Sequence, residues 1–114
     1  MSDFFEKLEK YGLKKEEVMM RFVDDEEFYK DCYIQVLNDE AFGKLKEYID
    51  SGNNQEAFDC AHGLKGILAN IGMKTLFDAT SDLVEVLRGT RTGNVNELYE
   101  ELIRLRDECI LLAE

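Results

Sequence analysis

His62 is the only histidine in the chain, and the residues around it are unusual in size and charge. The stretch Ala61-His62-Gly63-Leu64-Lys65-Gly66-Ile67-Leu68-Ala69-Asn70-Ile71-Gly72 puts a lysine three residues after the imidazole and glycines four and ten residues after it. Side chains three and four positions apart share a helix face. On a helix the ring therefore has Phe58 and Asp59 one turn before it, Lys65 and Gly66 one turn after it, and Ala69 two turns after it. Imidazoles titrate near pH 6.5, which leaves a nucleophilic ring nitrogen available around neutrality. A neighbouring ammonium can offset charge on phosphoryl oxygens. The chemistry this grouping fits is acceptance of a phosphoryl group on a ring nitrogen. An interior glycine costs a helix about 1 kcal/mol relative to alanine. At Gly66 that cost makes sense if a second molecule must approach the backbone closely.

Other chemistries fit less well. A lone histidine on a helix is commonly a solvated surface residue, and geometry alone leaves that reading open. Cys60 is two positions from His62, about 200° around a helix, so the two cannot share an ion. No Cys-x-x-Cys or paired-histidine spacing offers a metal site. No residue is assigned as nucleophile, base and orienting group of a hydrolytic triad.

The elements that hold this stretch must be helices. Proline is absent, and strand-type alternation is hard to find. Asp3, three residues before Glu6, predicts a capped first helix ending near Tyr11, with Gly12 as its left-handed stop. A short second helix is expected from about Lys14 to Phe22, with Val18, Met19 and Phe22 on one side. Asp24-Asp25-Glu26-Glu27 reads as an Asx cap with Glu at the third helical position. Phe28, Cys32, Tyr33, Val36 and Leu37 then mark the inner face of a third helix. Asn38-Asp39 provides a break and a new cap before a helix marked by Phe42, Leu45, Tyr48 and Ile49, with a bent continuation of the third helix as the alternative. The helix from about Asn54 to Ile71 carries the His62 stretch, and Gly72 ends it. Leu76, Ala79, Leu83 and Val86 or Leu87 line the next helix. After the loop Gly89-Thr90-Arg91-Thr92-Gly93, a last helix from about Val95 has a seam of Leu98, Leu102, Leu105, Cys109 and Leu112.

At about 100° per residue, Ala57, Ala61, Leu64, Leu68 and Ile71 fall in one narrow sector, and His62 lies roughly 140° from its centre. The imidazole and Lys65 are therefore expected to be exposed. The fold expected is all-α: residues 1–114 as one domain, an up-down four-helix bundle with one or two short additional N-terminal helices.

The formal net charge of −11 argues against nucleic acid and against anionic membrane surfaces. With no leader and no long apolar run, the chain is expected in the cytoplasm, as a monomer. The widely spaced Cys32, Cys60 and Cys109 are expected to be buried free thiols.

At the residues His62-Gly63-Leu64-Lys65-Gly66, Ala69-Asn70 and Ile71-Gly72, with Ala61 before and Leu76 after, the sequence resembles the histidine-containing phosphotransfer (HPt) family. The helix start at Asp24 to Tyr29 and the Ser51-Gly52-Asn53 turn extend that resemblance over most of the chain. The resemblance implies a phosphocarrier, not an enzyme, in a multistep His-Asp phosphorelay. His62 would carry the phosphoryl group, on Nε2, and Lys65 would stabilise it. Phe58, Asp59, Gly66 and Ala69 would form a docking surface. The implied partners are response-regulator receiver domains, such as that of a hybrid histidine kinase. No cofactor is implied for this chain, since Mg²⁺ would sit on the receiver. The alternatives are a non-catalytic docking module and a phosphohistidine substrate of a separate kinase. Two positions depart from the family pattern. Ile67 and Leu68 are bulky where many members have small or hydroxyl residues, and Val84 falls where some members have a glutamine near the phosphoryl group. Ser81 or Asp82 would take that place only if the following helix were rotated.

Overall fold

The computed structural model describes residues 2–114, which form seven α-helices and no strand. These are α1 (Ser2–Glu9), α2 (Lys15–Arg21), α3 (Glu26–Leu37), α4 (Ala41–Asp50), α5 (Asn54–Asn70), α6 (Lys74–Arg88) and α7 (Val95–Leu112). Short polar side chains start three of them. The Asp25, Asn53 and Asn94 carboxyl or amide oxygens accept from the N–H groups of Phe28, Glu56 and Glu97 at 2.9, 3.2 and 3.1 Å. Each cap satisfies one of the donors that a helix N-terminus leaves unpaired. The cap of α3 is Asp25 and not Asp24, because Val23 and Asp24 both take positive φ (48° and 59°) and delay the helix by one residue. Asp3 lies in the first turn of α1, where its charge suits the helix dipole.

The chain breaks at Asn38–Glu40, so α3 and α4 are separate helices, yet together they act as one strut. Their bonds to α7 show this. Tyr33 Oη donates to the Cys109 carbonyl at 2.5 Å, Arg106 to the Leu37 carbonyl at 3.1 Å, and Tyr99 Oη to the Phe42 carbonyl at 2.7 Å. As the first number rises the second falls, so the α3–α4 strut runs antiparallel to α7. Short connections then force α5 to run back along α4 and α6 back along α5. Helices α4 to α7 close into an up-down four-helix bundle, with α4 against α5 and α7, and α6 against α5 and α7.

The N-terminal helices share this core. Phe4, Phe5, Phe22, Tyr29 and Tyr33 form an aromatic cluster with centroids between 5.1 and 6.5 Å apart. Such pairs contribute about 0.5–1.5 kcal/mol each beyond their area.

Several inner faces are rotated from the sequence expectation. On α3 the fully buried residues are Tyr29, Tyr33 and Leu37, whereas Phe28 is 49% exposed and Cys32 and Val36 are half-buried. On α7 Tyr99 joins Leu102 and Cys109 inside, and Leu98, Leu105 and Leu112 are half-buried. On α6 Thr80 and Val84 are buried, while Ala79, Val86 and Leu87 are half-buried. The cause is common to all three. A tyrosine or threonine can be buried where its hydroxyl meets a carbonyl, as Thr80 Oγ1 does with Leu76 at 2.8 Å. All three cysteines are free, but only Cys109 is buried; Cys32 and Cys60 are half-buried.

Two stability predictions follow from this packing. Gly72 has φ +71°, and a Cβ there would overlap Val18 Cγ2 of α2. Gly72→Ala should therefore lower stability by about 2 kcal/mol, read as a lower urea midpoint at unchanged m-value. Burial pushes the Cys109 thiol up from its ordinary value of 9.0 to about 11. The unfolded chain then releases this proton first, so the contribution is present below pH 9.0 and is lost as pH rises towards about 11. Urea midpoints should fall from pH 9.0 upward, and Cys109→Ala should flatten the start of that fall.

Candidate functional site

Ala57, Ala61, Leu64, Leu68 and Ile71 are all buried, in the sector that helical periodicity assigned to the core. The two alanines keep this face of α5 narrow, so α4 and α6 can both pack against it. The opposite face is open: His62, Asp59, Gly63, Gly66 and Ala69 are exposed. Phe58 and Lys65 are half-buried, which for Lys65 differs from the full exposure expected. The reason is the aromatic neighbour that α6 supplies. Lys65 lays its stem over the groove and places Nζ 5.4 Å from the centroid of the Phe77 ring.

The imidazole is oriented by an aromatic contact. The His62 and Phe58 rings stack at a centroid distance of 5.9 Å and an interplanar angle of 29°. The Arg88 guanidinium, from the end of α6, lies 5.4 Å from the Phe58 centroid and pairs with Glu85 at 3.6 Å. The Glu85 carboxyl is held below the usual range by the Thr90 hydroxyl bonded to it, and further by the charges of Arg88 and Lys65. Asp59 accepts from Gln55 Nε2 at 3.1 Å and so stays on the solvent side of α5. A Cβ built on Gly66 meets nothing within 4 Å.

The contacts Phe58–Arg88 and Lys65–Phe77 mark the antiparallel register of α5 against α6. Between them, His62 stands level with the turn from Ser81 to Glu85. Val84, at the position where the resemblance implies a glutamine in some members, is fully buried in the core, because 100° of helix rotation separates it from Glu85. Asp82 is engaged by Arg91 at 2.6 Å. Ser81 is half-buried, and its Oγ is enclosed without a hydrogen-bond partner.

Set against known families, residues 33–114 match the Hpt domain. The chain belongs to this family. Comparison with curated proteins and with solved structures gave no match. Hpt domains are phosphocarriers of two-component phosphorelays, they work with receiver domains, and they are helical bundles as this chain is. Among the described residues, no helix is long and apolar enough to cross a membrane. Nor does any group of three or more His, Cys, Asp or Glu side chains there form a metal cluster.

This Hpt domain secures the C-terminal end of α5 with residues from before the matched segment. Arg21 of α2 donates through one guanidinium nitrogen to the carbonyls of Ala69 (2.9 Å) and Asn70 (2.8 Å), and Tyr29 Oη donates to the Ile71 carbonyl at 2.7 Å. The Ala69 carbonyl also accepts from Gly72 N–H at 3.0 Å, whereas those of Asn70 and Ile71 would otherwise be orphans of the helix end, and a cation there also complements the dipole. Sequence reasoning missed Arg21, Phe77 and Arg88. Their partners lie 48, 12 and 30 residues away in sequence, and no local spacing marks them.

Since the Gly66 Cβ position is empty, Gly66→Ala should stabilise the isolated domain by up to about 1 kcal/mol through helix propensity. Thermal or urea unfolding measures this. A destabilised variant would show that the backbone here is not free to take a side chain.

Proposed function

We propose that this Hpt domain is an intermediate carrier in a His-Asp phosphorelay and that His62 bears the phosphoryl group. One observation carries the reading: the chain's only histidine falls within the matched residues and is exposed on α5, beside Lys65 and the open strip of Gly66 and Ala69. In this reading the His62 Nε2 lone pair attacks the phosphorus of a receiver's aspartyl phosphate. The N–P bond forms as the P–O bond to the aspartyl group breaks, and the electron pair leaves with the receiver carboxylate. Nδ1 keeps its proton. Transfer to a second receiver aspartate reverses these changes. Lys65 offsets charge on the phosphoryl oxygens, with Phe77 keeping its stem against the bundle.

The Mg²⁺ for transfer belongs to the receiver's own carboxylates, and this chain contributes the nucleophile, the cation and the docking face. Asp59, Gly66 and Ala69, with the edge of Phe58, form that face. The receivers would include that of a hybrid histidine kinase, and the domain would act as a cytoplasmic monomer. Residues 1–114 act as one domain in this reading, supported by the core that α1 to α3 share with the bundle.

The test is transfer from receiver domains charged with phosphoramidate and Mg²⁺. The wild-type chain should gain acid-labile, base-stable label, and His62→Gln should gain none. Label on His62→Gln would overturn the assignment. Lys65→Ala should slow transfer about tenfold, the effect of about 1.4 kcal/mol of lost charge stabilisation. Its circular dichroism should be unchanged, since the ammonium contributes only about 0.5–1 kcal/mol through Phe77.

A further inference from the structure

We propose that Phe58 is a positioning residue for His62: its ring, itself held by Arg88 from α6, fixes the imidazole in the orientation from which it reacts. This rests on the assignment of His62 as the phosphoryl acceptor. An exposed histidine on a helix can rotate about two side-chain bonds, and only some orientations present Nε2 along the line a docked donor requires. The ring is instead stacked on Phe58, 5.9 Å between centroids and 29° from parallel.

Phe58 is itself constrained. It is half-buried, and the Arg88 guanidinium carbon lies 5.4 Å from its centroid. Arg88 is in turn tied to Glu85, whose carboxylate is bonded by Thr90 just beyond α6. The orientation of the imidazole is therefore referred to α6 as well as to its own helix. This changes the part Phe58 plays. A residue that only docks would offer its ring face to a partner; here the ring is already stacked with His62 and packed by Arg88, and only its edge is left to the docking face. A stack of this kind biases the ring population by about three- to tenfold.

The spacing explains why the contact forms. Phe58 and His62 are four residues apart on α5, so their side chains lie one above the other on the same side of the helix. An aliphatic residue at position 58 would fill the same space against Leu87 without an aromatic face.

The experiment compares Phe58→Leu and Phe58→Tyr with the wild-type full chain. The first measurement is NMR of the unphosphorylated protein labelled at histidine. Phe58→Leu should shift the His62 ring-proton resonances by removing the ring current, and Phe58→Tyr should leave them near wild type. The second is single-turnover transfer from a receiver charged with phosphoramidate and Mg²⁺, measured across receiver concentrations. Phe58→Leu should lower the saturating rate three- to tenfold with an unchanged half-saturation concentration, and Phe58→Tyr should restore it. An unchanged saturating rate, a loss confined to the half-saturation concentration, or no rescue by tyrosine would each overturn the proposal. So would unmoved His62 resonances. Failure of the wild-type chain to take label would instead overturn the assignment of His62, and the resonance measurement separates the two because it needs no transfer.

Discussion

Helix α5 must be buried along one side and bare along the other, and the rest of the molecule follows from meeting both demands. Ala57 and Ala61 occupy the buried side in the first half of α5, which packs against α4 and α6, and Leu64, Leu68 and Ile71 continue it to the end. Small residues at the contact allow the helix axes to approach to the short end of the usual 8–10 Å range. A bulky residue at position 61 would push α5 outward, and the groove that seats Lys65 over Phe77 would open. The two faces are coupled: core packing sets the distance across which α6 reaches the exposed face.

Rigidity at the exposed face comes from the ends of α5. Asn53 caps its start, and Arg21 and Tyr29 collect the carbonyls at its finish. Arg21 contributes little as a surface charge, since exposed ion pairs are worth about 0–1 kcal/mol. Its value lies in satisfying the Asn70 carbonyl, which the helix end leaves unpaired, and in adding a second donor to that of Ala69. Three buried tyrosines act similarly inside the core, each joining its helix to the backbone of another: Tyr29 to α5, Tyr33 to α7 and Tyr99 to α4. Burial raises the pKa of Tyr29 and Tyr33 well above the usual phenol range, so these hydroxyls stay donors.

Charge is distributed unevenly with respect to the site. The chain carries 25 acidic against 14 basic residues, yet the side chains that α6 and α2 bring towards α5 include Arg88, Lys74 and Arg21 beside Lys65 itself. A cleft at the end of α5 is lined by Lys14, Glu17, Arg21, Ala69, Lys74 and Phe77, so charges of both signs meet there. Of these cations, Lys74 and Arg88 are paired with Asp78 and Glu85, whereas Lys65 and Arg21 are turned to an aromatic ring and to helix carbonyls.

Much of this was legible in residue order. The expected starts near Asn54 and Val95 and the glycine stop at Gly72 bound their helices to within a residue or two, because turn and stop signals act over one turn. The spacing of Ala57, Ala61, Leu64, Leu68 and Ile71 determined that His62 faces outward, because a single helix has one rotation once its apolar stripe is buried. What periodicity misjudged were positions where a polar group is buried: Tyr29 in place of Phe28, and Tyr99 and Thr80 inside. Their burial depends on a carbonyl from elsewhere, which hydropathy does not see. Tertiary structure alone decided the surroundings of the imidazole. Phe77 beneath Lys65, Arg88 against Phe58 and Val84 turned into the core depend on the register of α6 along α5. That register is set by the interlocking of two helices, and no local pattern in either helix encodes it. The stretch around His62 determined which residue could react and which way it points; the packing of α6 decided what holds it there.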